Sequence, residues 1–402
     1  MLKRAGMCKR IRYYDIGFNL SDPMYQGVYR GKRYHKADVE RILERCKESR
    51  VERMLLTGSS LVEVRQTIDL VDQYESLAKG LGLGLYYTIG VHPCCVNEFV
   101  TEEMMTLAEP SNDEAMNQAL DVKDVEVTRT RLVELYQLMR ERQEHDGRLR
   151  AIGEIGLDYD RFYYSGKNMQ LLFFKEQLKL SCMFPDIPLF LHMRNCHSDF
   201  IGILGQFVEG FPDSEDRFRL KELILDTEHK DRMLDANGYP YYKFSDVRKF
   251  VVHSFTGTPN EMEEYLALSP NCYIGMNGTS LKHDYNIDSV RRIPLDRLLL
   301  ETDAPWCEIR RTHESYPYLV QGEGDMPWLK EAYPDLDQWY ASVKRDKLAK
   351  LDESKWAHTM VKSRNEPCTM GQVATVIANI KNVPLDELLE QVWLTTCSVY
   401  GD

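Results

Sequence analysis

The sequence predicts an α/β fold, a TIM-type (β/α)8 barrel with long insertions, on three observations. Eight short apolar runs are spread along the chain, segments of helical periodicity lie between most of them, and four of the runs end on residues of metal-ligand type. The four are Gly153-Glu154-Ile155-Gly156-Leu157-Asp158, Leu191-His192-Met193-Arg194, Val252-His253-Ser254-Phe255 and Glu301-Thr302-Asp303-Ala304-Pro305-Trp306. A parallel barrel carries the C-terminal ends of its strands to one face, so ligands far apart in sequence converge there. The pattern is metallo-dependent hydrolase-like.

In chain order the strands are expected at 12–18, 51–57, 85–91, 149–155, 187–192, 250–253, 272–276 and 298–301. Helical periodicity marks 38–49 after the first, 61–81 after the second, 169–183 after the fourth and 261–268 after the sixth. A charged helical pattern at 129–142 precedes the fourth strand. Two amphipathic segments, 370–380 and 385–396, follow the last strand and close the outer ring, the second begun by Pro384 at a first-turn position. The glycines at 80, 82 and 84 are not a dinucleotide fingerprint, because no strand precedes them and no helix follows.

A chain of 402 residues, 43% of them hydrophobic, suits one elaborated barrel domain across 1–402. Three connections exceed what a minimal barrel needs: about 97–148, 210–249 and 307–366. The first carries an acidic stretch expected to be disordered in part. The third leaves the end of the eighth strand and is best placed to cover the ligand face.

A formal net charge of −12 argues against a surface that coats itself with nucleic acid, so any phosphate must be held locally, by a cation at the bottom of a cleft. The ten cysteines form no C-x-x-C pair and read as reduced thiols of an intracellular protein. The basic first twelve residues lack an apolar core, and no apolar stretch approaches the ~20 residues that span a bilayer. A soluble protein of cytoplasm or nucleus is the expectation, with no membrane partner.

Glu154 ends the fourth run inside a glycine-flanked turn, where a carboxylate holds one divalent ion or bridges two. His192 and His253 each follow an apolar run. One alone would read as a core imidazole; two at successive strand ends beside Glu154 read as ligands. Asp303 follows the eighth run and is placed to take a proton from water acidified by the ion.

Seven motifs then carry a resemblance. Asp15-Ile16-Gly17-Phe18-Asn19-Leu20, Gly90-Val91-His92-Pro93, the Glu154 turn, His192-Met193-Arg194-Asn195, His253-Ser254-Phe255-Thr256-Gly257, the Asp303 segment and Arg364-Asn365-Glu366-Pro367 resemble, in order and spacing, the TatD family of metal-dependent deoxyribonucleases, and Asp22-Pro23-Met24-Tyr25 with Gly27-Val28-Tyr29-Arg30-Gly31 and the replaced first-strand histidines resemble its eukaryotic-type branch and bacterial TatD proper. The resemblance implies Glu154, His192, His253 and Asp303 as metal ligands, with Asp303 also the general base. It implies His92 as a donor to phosphate. Arg194 presents a guanidinium fork that suits phosphate, and Asn19 and Arg30, with Lys32, sit where substrate would pass. Asp158 and Glu366 read as residues that orient ligands and arginines. Cys94 and Cys95 lack a paired base and are not expected to be nucleophiles.

The implied function is divalent-metal-dependent hydrolysis of DNA phosphodiester bonds, exonucleolytic on single-stranded or frayed ends, with Mg²⁺ as the first choice of ion and Mn²⁺ or Zn²⁺ as alternatives. Hydrolysis of a D-aminoacyl-tRNA ester is the alternative, and a non-enzymatic binding protein on a retired barrel is disfavoured by the four retained ligands. Gly17 and Asn19 stand where a full binuclear site offers His-x-His. A second ion would therefore depend on Glu154, Asp303, the Asn19 oxygen and solvent or substrate.

Overall fold

The structure is a computed structural model that describes residues 10–100, 125–320 and 340–402. Eight strands form one parallel sheet in chain order: β1 (Tyr13–Phe18), β2 (Val51–Leu56), β3 (Gly84–Ile89), β4 (Leu149–Asp158), β5 (Leu189–Arg194), β6 (Phe250–His253), β7 (Cys272–Met276) and β8 (Leu298–Leu300). A parallel bridge from Phe18 to Ala304, with Asn19 N–H donating to the Ala304 carbonyl at 2.9 Å, brings the two ends of the sheet together into a barrel. Every strand expected from the sequence is present. The ends differ by a few residues: β4 continues to Asp158 and β5 to Arg194, because the two stay in register from Gly156 beside His192 to Asp158 beside Arg194.

The surrounding helices are α1 (Val39–Glu48), α2 (Leu61–Leu81), α3 (Val125–His145), α4 (Lys167–Ser181), α5 (His197–Glu209), α6 (Pro259–Leu268), α7 (Asp284–Arg292), α8 (Met370–Lys381) and α9 (Leu385–Tyr400). Their limits are written in side chains. Ser60 caps α2, its hydroxyl accepting from Glu63 N–H, and Gly82 ends it in the left-handed region at φ 75°. Thr258 and Glu261 form a reciprocal capping box on α6. Pro384 is the N-cap of α9 rather than part of its first turn. The sequence reading missed α5 and α7. In α7 few apolar residues mark the nine-residue span, and only Ile287 and Val290 put hydrophobic side chains into the core.

Tyr14, Ile16, Leu55, Ala151, Phe190, Val251, Tyr273 and Leu299 fill the barrel interior, and Trp393, Val399 and Tyr400 of α9 pack against them. A larger apolar layer lies between strands and helices, including Leu56, Ile89, Leu191 and Val252 from the strands and Ile68, Phe174, Phe200 and Ile377 from the helices.

Of the long connections, the first keeps α3 within the described residues, while its acidic stretch lies outside them. The second runs from α5 into β6, at the N-terminal ends of the strands and away from the ligand face. The Phe211–Pro212 and Tyr241–Tyr242 ribbon and the Lys179–Asp213 ion pair at 2.7 Å tie it down. The third leaves the C-terminal end of β8, lines the cleft with Cys307, Glu308 and Arg310, and returns through the Ala341–Val343 and Thr359–Val361 pair. Residues 321–339 of this expected cover lie outside the described ones.

Candidate metal centre

The C-terminal ends of the strands surround a cleft of roughly 1010 Å³. At its base Glu154 of β4 meets two imidazoles: His192 Nδ1 of β5 lies 2.8 Å and His253 Nε2 of β6 2.7 Å from Glu154 Oε1. Among the described residues these three form one of two groups whose ligand atoms all lie within 4.8 Å of one another; His92, Asp158 and His192 form the other.

The outer nitrogens decide between the groups. His192 Nε2 faces Asp158 Oδ2 at 3.3 Å, and His253 Nδ1 faces Glu301 Oε2 at 3.3 Å. Each carboxylate accepts the outer N–H, which fixes each ring with its inner nitrogen on Glu154, so that an ion displacing the inner proton meets a lone pair, the arrangement that orients histidines on metals. His92 is set the other way. Its Nδ1 accepts from Cys94 N–H at 3.1 Å, so its proton sits on Nε2, 3.5 Å from Glu154 Oε1. Burial holds that ring neutral, lowered to about 3. His92 is a donor to the site rather than a ligand.

Burial opposes charge on His253, but Glu154 and Glu301 outweigh it and raise the imidazole well above its usual value. Burial likewise works against His192, whose bonds to Asp158 and Glu154 raise it. Glu154 would be raised by burial, and the charge and hydrogen bonds of these histidines hold it well below the usual carboxylate range. Two imidazole nitrogens and a carboxylate, backed by buried Asp158 and Glu301, form a donor set that suits a divalent ion.

Glu301 was not singled out from the sequence, and it explains Gly17. A Cβ on Gly17 would stand 2.7 Å from Glu301 Oε2, so the carboxylate fills the space of a first-strand side chain. Ser254 N–H donates to the other oxygen, Oε1, which pins the group beneath His253. Asp15, also unmarked, accepts from Thr302 N–H at 2.9 Å and Thr302 hydroxyl at 2.5 Å, which fixes the turn leading into Asp303. Burial pushes Asp15 up to about 7.

Asp303, expected as a fourth ligand, lines the same cleft but belongs to neither group of converging ligand atoms. Asn19 Nδ2 donates to its Oδ1 at 3.1 Å and the Cys307 thiol to its Oδ2 at 3.2 Å. Burial pushes the carboxyl up to about 6 against the pull of His253. The Asn19 amide is oriented by the Ala304 carbonyl, and its oxygen accepts from Thr57 at 2.5 Å. An amide oxygen has two lone pairs, so this bond leaves one for the second ion that the sequence reading assigned to it.

Arg194 lines the cleft and pairs with Asp160 at 2.8 Å, neither with Asp158 nor with Glu366. Arg30 is exposed at the tip of the ribbon that pairs Val28–Tyr29 with Lys32–Arg33, and neither it nor Lys32 lines the cleft. Glu366 orients arginines only: Arg45 at 2.7 Å and Arg364 at 2.9 Å, in a buried cluster. Burial pushes the Cys94 thiol up to about 12, which removes it as a nucleophile.

Comparisons with known proteins give the family. The family model described as TatD related DNase matches residues 15–401. The chain belongs to that family. A deoxyribonuclease Tat-D of Saccharomyces cerevisiae is 46% identical over 404 residues, covering 98% of this chain and 92% of the relative. The crystal structure of an uncharacterized amidohydrolase from Saccharomyces cerevisiae superposes with a TM-score of 0.83 at 44% identity, covering 97% of this chain and all of that one. A protein of Erwinia tasmaniensis named 3'-5' ssDNA/RNA exonuclease TatD is 28% identical over 296 residues, covering 73% of this chain and 80% of the relative.

Proposed function

We propose that this TatD-family protein hydrolyses phosphodiester bonds in DNA with a divalent ion held by Glu154, His192 and His253. The observation that carries the reading is the paired orientation of the two histidines, inner nitrogens on Glu154 Oε1 and outer nitrogens on Asp158 and Glu301. The names of the yeast and bacterial relatives support a nucleic-acid substrate.

A divalent ion in such a set supplies Lewis acidity at the phosphoryl group and acidifies water. The chain supplies the rest. Asp303 takes the proton from the attacking water at its carboxylate, which Asn19 and Cys307 hold in place. His92 presents Nε2–H, and Arg194 its guanidinium, to the charge that grows on the phosphate oxygens. Strand ends enter a recessed barrel mouth more readily than a continuous duplex, which favours exonucleolytic action on single-stranded or frayed DNA. Mg²⁺ is the proposed ion. One ion is held tightly, and a second, lacking first-strand imidazoles, binds weakly with its water and with substrate.

The test is digestion of end-labelled single- and double-stranded DNA by metal-reconstituted protein. Glu154→Gln, His253→Ala and Asp303→Asn should each slow hydrolysis by roughly 10²-fold or more. Near-native rates in all three would sink the reading. Elemental analysis after gel filtration should find one ion per chain, and two retained without substrate would refute the weak second site.

A further inference from the structure

Aromatic side chains are seldom left in water without a role when several gather at one groove. Five large aromatic residues are exposed among the described ones, Tyr163, Tyr164, Tyr239, Tyr285 and Trp306, and all but Tyr239 line the cleft. They stand in two groups. Tyr163 and Tyr164, ring centroids 4.5 Å apart, lie in the loop after β4. Trp306 lies in the loop after β8, and Tyr285, stacked on His283 at 5.3 Å and 15°, begins α7 after β7. The fourth and eighth strands are opposite each other in the eight-stranded ring, so the two groups stand on opposite sides of the cleft that holds Glu154 and His192.

The rings are exposed, but their backbones are anchored. The Tyr164 carbonyl accepts from Asn97 Nδ2 at 2.8 Å, and Trp306 N–H donates to the Asp303 carbonyl at 3.0 Å. The loops that carry Tyr164 and Trp306 are thereby held at the cleft. Arg161, Arg194, Lys282 and Arg310 also line the cleft, the three arginines each paired with a carboxylate, Asp158, Asp160 and Glu308, that a strand's phosphates would have to replace. Flat rings together with cations are the recognition chemistry of an unpaired nucleic-acid strand, since each base offers a π face and each linkage one negative charge. A paired and stacked duplex offers its bases to neither platform.

We infer that Trp306 with Tyr285 on one side, and Tyr163 with Tyr164 on the other, are base-stacking subsites that hold the nucleotides flanking the scissile linkage and select unpaired strands. This deepens, and for its kinetic test rests on, the phosphodiesterase reading. The platforms act in binding; Asp303 and the metal-ligating cluster act in chemistry.

The experiment compares oligothymidylate with an abasic deoxyribose-phosphate oligomer of the same length and charge. Native protein should show kcat/KM lower by roughly tenfold or more on the abasic strand. Trp306→Ala, and Tyr163→Ala with Tyr164→Ala, should raise KM for oligothymidylate and erase that preference with kcat little changed, while Trp306→Phe should retain much of it. Tyr239→Ala, away from the cleft, should behave as native, and melting temperatures confirm folding. Equal use of the two strands by native protein, or an unchanged KM in both alanine variants, would overturn the stacking subsites and leave the nuclease reading standing. Hydrolysis of neither strand would instead overturn the nuclease reading. A separate titration with phosphorothioate oligothymidylate then still decides: quenching of tryptophan emission that vanishes in Trp306→Phe supports stacking, and no quenching refutes it.

Discussion

Glu301 shows how far one side chain reaches. Through its two oxygens it orients His253, holds Ser254 and excludes any side chain from position 17. Gly17→Ala must displace that carboxylate, so metal affinity should fall roughly tenfold or more, as expected when the partner of a ligand is moved. Isothermal titration with Mn²⁺ measures it, and native affinity in the variant would show that Glu301 yields at little cost. The same histidines make metal uptake pH-dependent. Both are raised, His253 well above its usual value by Glu154 and Glu301, so an incoming ion must displace a proton from it. Affinity should therefore rise as pH increases through neutrality, with proton release seen as a dependence of the binding heat on buffer; affinity that falls over that range would contradict the assignment.

Between elements, the most concentrated interaction away from the cleft is the ionic cluster joining α1 and its N-cap residue to the segment before α8. Arg364 binds Asp38 through two bonds of 2.7 and 2.6 Å and Glu366 at 2.9 Å, while Arg45 reaches Glu366 at 2.7 Å. The two charges of each sign are buried and balance. Arg364→Ala would leave two carboxylates facing one guanidinium in a dry site, a change that costs about 3–5 kcal/mol. Chemical denaturation should show this as a lower midpoint with the slope retained. A midpoint equal to native would mean that water reaches the cluster.

At the scale of the molecule, the net charge of −12 repels a polyanion, while four Lys and Arg side chains in the cleft, among them Arg194 and Arg310 paired with Asp160 and Glu308, attract it. Binding should be electrostatically local. With a single-stranded contact contributing about 0.7 to the slope of log affinity against log salt, four contacts predict a slope no steeper than about −3. Affinity for a phosphorothioate strand measured between low and moderate salt at fixed metal tests it, and a much steeper slope would reveal a cationic surface outside the cleft.

The alternation of apolar runs with helical periodicity was enough to determine the barrel and the order of its strands, because burial on both faces of a parallel sheet demands such runs. The ligand-type residues at the ends of those runs were legible for a related reason: parallel topology alone sends strand ends to one face. Which nitrogen of each histidine turns inward was not legible. It depends on Asp158 and Glu301, and Glu301 reaches His253 only because β1 carries no side chain at Gly17. Tertiary structure also separated Arg30 from the cleft, gave Arg194 to Asp160, and set Trp306 across from Tyr163 and Tyr164. Local pattern records the direction of a strand and the face of a helix; which loops meet across a closed ring is decided only when the ring closes.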